Sequence, residues 1–208
     1  MNEVLVGDIE TNGLLDKVDL KLHMVQIGTL AGEDATVYGD HDLCDAPLKE
    51  GLERLRDCEK AYFHNGLDFD YRALVRLAPG TLRREQLVDT LIMARMAFPH
   101  RHRHSLESFG ADSGSYKSTY DGDYSEITQD FVDYSRQDIH AGRALARLLI
   151  KELQGQDEAI AVEHAVAWWI RKQEATGFHL DVEKAERLYL DLLATKQETE
   201  RDLKALFP

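Results

Sequence analysis

The chain has 208 residues, and its 38 acidic and 25 basic side chains give a formal charge of −13 at neutral pH. This length suits one domain with an extension or two small domains, and 43% apolar residues are enough for a packed core. Such acidity argues against a general nucleic-acid binder, because phosphate affinity comes from Lys and Arg. No run of 18 apolar residues occurs, so no membrane span is expected.

The first half of the chain predicts three consecutive strands and then alternating helices and strands. Apolar runs bounded by turn residues favour strands, and apolar residues at helical spacing favour helices. The predicted strands cover residues 3–10, 23–31, 35–38 and 61–63, and the predicted helices cover 43–56 and 69–77. This order indicates an α/β fold, in which a mixed sheet is flanked by helices.

The second half is predicted to be mainly helical. A helix entered through residues 87–90 ends near 98, a loop covers 99–104, a short helix covers 106–109, a mobile loop covers 111–124 and a long helix ends near 153. A break at Gln154-Gly155-Gln156 precedes two further helices, 158–176 and 182–206. We therefore expect a domain over residues 1–155 and a C-terminal helical extension over 156–208.

Two carboxylates lie at the end of the first predicted strand. Asp8 and Glu10 are separated by one residue, so both side chains point to the same face of a strand, about 6.5 Å apart along the chain. Adjacent carboxylates repel each other unless positive charge lies between them, and hard divalent cations such as Mg²⁺ or Mn²⁺ prefer oxygen ligands. By itself this pair is more often two solvated acids than a metal site.

Two later stretches add weight to a metal site. Asn65 and Asp70 lie at a strand-to-helix junction, a place where loops often carry function. Tyr134 and Asp138 are four residues apart, so they lie on one face of the long helix. Each of these stretches alone also fits ordinary structure, and Asp68 is a plausible helix cap.

Together the three stretches resemble the motifs of the DEDD superfamily of 3′–5′ exonucleases, whose fold is ribonuclease H-like. The matching segments, in chain order, are Asp8-Ile-Glu10-Thr, Asn65-x-x-x-Phe69-Asp70 and Tyr134-x-x-x-Asp138. One subclass of this superfamily has a histidine five residues before the last acid, where this chain has Asp133. The other has a tyrosine four residues before it, and the chain resembles this tyrosine subclass because Tyr134 lies there. The resemblance implies a five-stranded mixed sheet.

The resemblance also implies two Mg²⁺ or Mn²⁺ ions at the site. Asp8, Glu10 and Asp138 would hold the first ion, and Asp8 would bridge to the second, which Asp70 supports. Tyr134 would orient the attacking water, since a tyrosine phenol with an ordinary pKa of about 10 is a poor base at neutral pH. The product would be a nucleoside 5′-monophosphate.

Substrate contacts are expected on both sides of these acids. Thr11, Asn12, Gly13 and Leu14 would meet the terminal nucleotide, although Leu14 and Leu15 are equally good candidates for the leucine that wedges between the last two bases. Asn65 and Phe69 are further candidates, and Phe69 also fits a core position. Arg101, Arg103 and His104 form the most basic stretch, which fits either phosphate contact or a solvated loop.

Most of the chain also resembles the proofreading domain of family A DNA polymerases of short-tailed phages. The segments that carry this likeness are Phe63-His-Asn-Gly66, Asp89-Thr-Leu91, His104–Gly110 and Glu163–Gly177. It implies a DNA 3′ end as substrate, a polymerase as a partner domain or subunit, and the cytoplasm (the host cytoplasm for a phage protein) as location. The alternatives are an exoribonuclease similar to ribonuclease D and a non-catalytic module that binds a polymerase.

Overall fold

A computed structural model describes residues 3–113, 120 and 122–207 of the chain. The strands are β1 (Val4–Thr11), β2 (Leu22–Thr29), β3 (Thr36–Gly39), β4 (Lys60–Phe63) and β5 (Leu87–Asp89). The helices are α1 (Leu48–Asp57), α2 (Asp70–Leu77), α3 (Thr90–Ala97), α4 (Leu106–Ser113), α5 (Gln129–Glu152), α6 (Asp157–Thr176) and α7 (Val182–Leu206). None of these helices is both long and apolar enough to span a bilayer.

The five strands form one mixed sheet in the order β3-β2-β1-β4-β5. β1 is central, because it pairs with β2 in antiparallel and with β4 in parallel orientation. In the antiparallel pair, Asp8 lies opposite Gln26 and Glu10 lies opposite Met24. The predicted mixed α/β sheet is confirmed, and the expected fold is confirmed with it.

Both faces of the sheet are covered by helices. Leu5 and Val6 are neighbours in β1, yet they belong to different buried clusters, because successive strand residues point to opposite faces. The cluster of Leu5 includes residues of α1 and α2, whereas that of Val6 includes residues of α3, α4 and α5. At Gly142 a side-chain carbon would come within 3.3 Å of Val6, so this glycine lets α5 lie close to β1.

Several predicted boundaries were wrong. Residues 87–89 form the edge strand β5 rather than the entrance to a helix, which a three-residue apolar segment does not reveal. The first helix begins at Leu48, after Pro47, instead of at residue 43, because Asp45 and Ala46 bond to β3. α4 extends to Ser113, while residues 114–119 and 121 of the loop predicted over 111–124 lie outside the described residues.

The chain divides into two compact units, residues 1–170 and 171–208. The break predicted near 155 coincides with the gap between α5 and α6, but the first part of α6 belongs to the first unit. The second unit contains α7, whose N-terminus is capped by the Asp181 carboxylate accepting from the Lys184 backbone N–H. The division at residue 155 stays a prediction about domain organisation.

Candidate active site

Three carboxylates converge where the end of β1 meets α5. Asp8 and Glu10 project from one face of β1, and Asp138 lies on the side of α5 that covers that face. Oxygen atoms from the three side chains all lie within 4.8 Å of one another. Asp138 is 5% exposed, whereas Asp8 and Glu10 are partly exposed, so the cluster opens towards solvent on one side.

Asp70, at the first position of α2, lies next to this cluster and is deeply buried. Its Oδ1 accepts a hydrogen bond of 3.2 Å from the backbone N–H of Ile9, which places it between the two acids of β1. Burial raises the pKa of the Asp70 carboxyl well above its ordinary value, and the nearby negative charge of Asp8 raises it further. A cation beside these groups would favour the ionised form.

The donor set suits a hard divalent cation. Carboxylate oxygens are the ligands that Mg²⁺ and Mn²⁺ prefer, and like charges held this close without a cation repel each other. The residues that would hold such an ion are those that the sequence predicted, namely Asp8, Glu10 and Asp138, with Asp70 behind them. The arrangement therefore fits the metal site expected from the sequence.

A groove of about 420 Å³ opens in front of the three carboxylates, and we call it the acidic groove. Its walls are formed by Asp8, Ile9, Glu10, Thr11, Gly13, Leu14, Phe69, Tyr124, Tyr134 and Asp138. The Leu14 side chain is 71% exposed, whereas Leu15 packs against the core. Leu14 is thus the one of the two leucines that is available to a ligand.

The loop after β1 is held by its own polar groups. The Asn12 side chain donates to the carbonyl of Asp19 and accepts from the N–H of Lys21, and the Thr11 hydroxyl donates to the carbonyl of Gly13. Arg76 of α2 donates to the carbonyls of residues 15, 17 and 18 over 2.8–3.0 Å. These bonds fix the loop that presents Leu14, and they occupy the amide of Asn12.

The turn before Asp70 is organised by Asp89, which is 2% exposed. The Asp89 carboxylate accepts from the backbone N–H groups of Asn65 at 3.1 Å and Leu67 at 3.0 Å, and from Leu91 at 2.9 Å. Asn65 adopts a positive φ of 61°, a conformation that asparagine tolerates better than most residues. Asn65 therefore has a structural role in this turn, and it is not among the residues that line the acidic groove.

The basic loop, His100–His104, is also bonded internally. Arg101 donates to the carbonyls of Arg103 and Ser108 and lies 4.1 Å from the centre of the Phe109 ring. The His104 ring is 2.9 Å from the carbonyl of Phe98, to which it donates. Arg103 is exposed. Phosphate contact by these three side chains stays a prediction, and Arg103 is the one best placed to reach a ligand.

Residues that the sequence did not single out also lie at the site. Tyr124 lines the acidic groove, 5.3 Å from the rings of Tyr120 and Phe131 in edge-on contacts. His64 lines a recess of about 90 Å³ behind Asp8 and Asp138, and its Nδ1 lies 3.0 Å from the Thr90 hydroxyl. His64 falls within a quoted motif, but no sequence signal indicated Tyr124.

A buried amide lies beside the cluster. Gln26 is fully buried on β2, opposite Asp8, and neither polar atom of its side chain has a hydrogen-bond partner within the structure as described. Buried polar groups normally have partners, so an unpaired amide at this place needs an explanation. Because Gln26 lies opposite Asp8, we associate its amide with the acidic cluster rather than with the rest of the core.

Comparisons with known proteins agree with this geometry. No family model matches the chain. It is 28% identical to the DNA-directed DNA polymerase of Enterobacteria phage T3 and 26% identical to that of Escherichia phage T7, in each case over 98% of this chain. The chain spans 37% of the length of these two polymerases.

Solved structures show the same fold. Brucella melitensis NrnC with bound Mg²⁺ covers 83% of this chain and 83% of its own, with a TM-score of 0.62 and 21% identity. The catalytic core of RRP6 from Trypanosoma brucei covers 83% of this chain and 46% of its own, with a TM-score of 0.57 and 15% identity. The likeness to phage polymerases and the acidic cluster support the resemblance to DEDD-type 3′–5′ exonucleases that the motifs indicated, and the shared fold is ribonuclease H-like.

Proposed function

We propose that the protein is a Mg²⁺- or Mn²⁺-dependent 3′–5′ exonuclease that releases nucleoside 5′-monophosphates from single-stranded or frayed DNA ends. The observation that carries this proposal is the convergence of Asp8, Glu10 and Asp138 at the acidic groove. A groove that combines three carboxylates with exposed apolar and aromatic side chains suits a metal-assisted reaction on a nucleotide.

The carboxylates would hold two divalent cations. Asp8, Glu10 and Asp138 would bind the first, and Asp8 with Asp70 would bind the second. Such ions supply positive charge that stabilises the attacking and leaving oxygens of an in-line displacement at phosphorus. Because Asp70 accepts the Ile9 N–H, its carboxylate is fixed relative to β1 and keeps one orientation towards Asp8.

Tyr134 would orient the water that attacks the phosphate. It lines the acidic groove one helical turn before Asp138, and its ring lies 5.7 Å from that of Tyr120. The ring packs against a buried cluster that includes Phe131, which restricts the positions that its hydroxyl can take. A phenol held in this way positions a water by hydrogen bonding and does not need to remove its proton.

The terminal nucleotide would occupy the acidic groove. Leu14 would wedge between the last two bases, Thr11 and Gly13 would form the wall beside the terminal sugar, and Phe69 would pack against that sugar. Arg103 would meet a phosphate further along the strand, while Arg101 and His104 would shape the loop that presents it.

Proofreading for a family A DNA polymerase is the role that we propose for this activity. The similarity to two phage DNA polymerases covers almost the whole chain, including α6 and α7, and supports DNA rather than RNA as substrate. A matched end would be protected, because unpairing a base before it enters the groove costs roughly a few kcal/mol. The polymerase would be a neighbouring domain or a separate subunit in the cytoplasm, which for a phage protein would be the cytoplasm of the host.

The test compares DNA and RNA oligomers of one sequence. We expect metal-dependent release of mononucleotides from the 3′ end of DNA, faster for a mismatched than for a paired end, with Asp8→Asn as the inactive control. A marked preference for RNA would replace the proposal with an exoribonuclease similar to ribonuclease D. NrnC has been solved bound to pGG, so pGG belongs in the panel.

A second experiment separates catalysis from binding. Co-purification with a co-expressed polymerase, combined with no nucleotide release from any substrate, would instead indicate a non-catalytic polymerase-binding module. Release of mononucleotides by the wild type and none by Asp8→Asn excludes that alternative.

A further inference from the structure

α6 contacts both sides of the segment that carries Asp70. Its side chains His164 and Trp168 are four residues apart, so they lie on the same face of the helix. His164 bonds to the end of β5, and Trp168 contacts Tyr71, the residue directly after Asp70. All of these residues belong to the first compact unit.

His164 binds a backbone N–H on the open edge of the sheet. β5 is the last strand in the sheet order, and the N–H of Asp89 donates to Nε2 of His164 over 2.8 Å. Since a backbone N–H is a donor, Nε2 must be the acceptor, and the ring proton is therefore on Nδ1. Nδ1 lies 2.8 Å from the carbonyl of Ile160 and donates to it, so both ring nitrogens are used.

The same Asp89 organises the turn that leads to Asp70. Its carboxylate holds the N–H groups of Asn65 and Leu67, as described above. The carbonyl of Gly66, between them, accepts from the N–H of Tyr71 over 2.8 Å. A shift of Asp89 would therefore be transmitted through this turn to the beginning of α2.

Trp168 supports the other side of this segment. Its ring meets that of Tyr71 edge-on at 5.5 Å between centroids, and the Arg84 guanidinium lies 4.9 Å above it. Trp168 also packs against the buried cluster that contains Leu74 of α2. The neighbouring Trp169 is 64% exposed, so the two tryptophans have different roles.

We propose that His164 and Trp168 are positioning residues for Asp70, so that the first half of α6 forms part of the exonuclease although it lies outside the three sequence motifs. His164 fixes Asp89 and the 65–67 turn, while Trp168 fixes Tyr71. Asp70 lies between these two supports, and its carboxylate is thereby held against the N–H of Ile9. An effect of His164 and Trp168 on catalysis rests on the proposed function. Their effect on the position of Asp70 does not.

Amide hydrogen exchange of the metal-free protein tests the link directly. His164→Met removes the acceptor at similar side-chain length, whereas His164→Gln retains an acceptor oxygen at the tip. In His164→Met we expect the amides of Asn65 and Leu67, which do not touch His164, to exchange about tenfold faster. His164→Gln and Val166→Met, a change on the exposed face of α6, should exchange like the wild type.

Nucleotide release tests the effect on the site. His164→Met should lower kcat by about ten- to a hundredfold, because a small displacement of a reacting group is costly, and His164→Gln should restore most of the rate. The metal concentration for half-maximal rate should rise in His164→Met. Trp168→Leu should behave in the same way, and Trp168→Phe, which keeps an aromatic edge for Tyr71, should be milder.

Two results would overturn the proposal. One is unchanged exchange at Asn65 and Leu67 in a His164→Met protein that remains folded by circular dichroism. The other is a loss of thermal stability with wild-type kcat and metal dependence, which would make these side chains purely structural. A wild type that releases no nucleotide would refute the proposed function, while the exchange data would still decide the link.

Discussion

The acidic groove and the basic loop contain the densest groups of charged residues that the sequence singled out, and they use their charges differently. In the groove, carboxylates from β1 and α5 point at one another across a few ångströms. In the loop, Arg101 and His104 are satisfied by carbonyls of their own segment. The acids on β1 and α5 are thus arranged around a position that a cation could occupy. The hydrogen bonds of Arg101 and His104 instead stabilise the loop that carries them.

Removing one groove carboxylate should have the largest effect. Asp8→Asn should lower nucleotide release by about 10⁴-fold or more, since both cation positions would lose a ligand worth several kcal/mol in the transition state. Steady-state release from a DNA oligomer measures this, with circular dichroism as the control for folding. Activity within tenfold of the wild type would show that the groove is not the catalytic site.

Tyr134→Phe should be less damaging. The ring contacts with Tyr120 remain, and only the hydroxyl that we propose orients the water is lost, so we expect a loss of about 10²-fold in kcat. Single-turnover measurements at saturating metal isolate this step. A variant as inactive as Asp8→Asn would mean that the phenol has a more direct chemical role.

Asp70 should give the metal-free protein a distinctive pH dependence. Its pKa is raised in the folded state by burial and by Asp8, so its contribution to stability is present below the ordinary carboxyl pKa of about 4 and is lost as the pH rises through the folded value. Asp70→Asn cannot ionise and should not show this loss. In EDTA, the urea midpoint of the variant should therefore exceed that of the wild type by more at pH 8 than at pH 4.

Added Mg²⁺ should reverse that difference, because it stabilises the ionised carboxylate in the wild type only. If the two proteins keep the same difference in midpoint at every pH, Asp70 does not titrate in the way that its burial implies.

The leucines after β1 offer a matched pair. Leu14 is exposed in the groove and Leu15 packs against the core, so Leu14→Ala should raise KM for a DNA oligomer several-fold without affecting stability. Leu15→Ala should leave KM unchanged and lower the free energy of unfolding by about 1–2 kcal/mol. Urea denaturation and initial rates on both variants decide this, and an exchange of the two phenotypes would contradict the assignment of the wedge.

The two arginines of the basic loop should show the smallest effects. Arg103→Met should weaken oligomer binding modestly and reduce its salt dependence, as expected for one lost phosphate contact. Arg101→Met should instead destabilise the loop by about 1 kcal/mol, through its lost hydrogen bonds to carbonyls. Binding measured in Ca²⁺ at two salt concentrations distinguishes the variants, and equal salt slopes for wild type and Arg103→Met would remove Arg103 from the substrate site.

The sequence predicted the parts of the site that depend on regular periodicity. The period of two in β1 places Asp8 beside Glu10, and the period of 3.6 in α5 places Tyr134 above Asp138. The three-residue strand β5 was missed because so short a segment has no measurable period, although its partner β4 makes it part of the sheet. Side chains that act through long-range packing, such as Tyr124 and Gln26, gave no local signal.

Helix caps were partly predictable from the same local chemistry. Thr128 and Asp181 cap α5 and α7 by accepting hydrogen bonds from N–H groups three residues on, and threonine and aspartate are residue types that favour this position. Asp68 was also a candidate cap, but α2 begins at Asp70 and has no side-chain cap, and Asp68 forms an ion pair with Arg72 at 3.8 Å. The turn that leads into α2 is instead held by the Asp89 carboxylate. Asp89 is distant in sequence, so no pattern near Asp68 reveals this contact.

The distance in sequence between the two halves of the acidic cluster has a consequence for synthesis. Asp8 and Glu10 are synthesised well before their third partner, which is on α5, far along the chain. Contacts between residues so distant in sequence form late, because the entropy cost of closing a long loop comes before any interaction that offsets it. A nascent chain would therefore contain Asp8 and Glu10 without a complete active site. The proposed nuclease would become active only when α5 packs against the sheet.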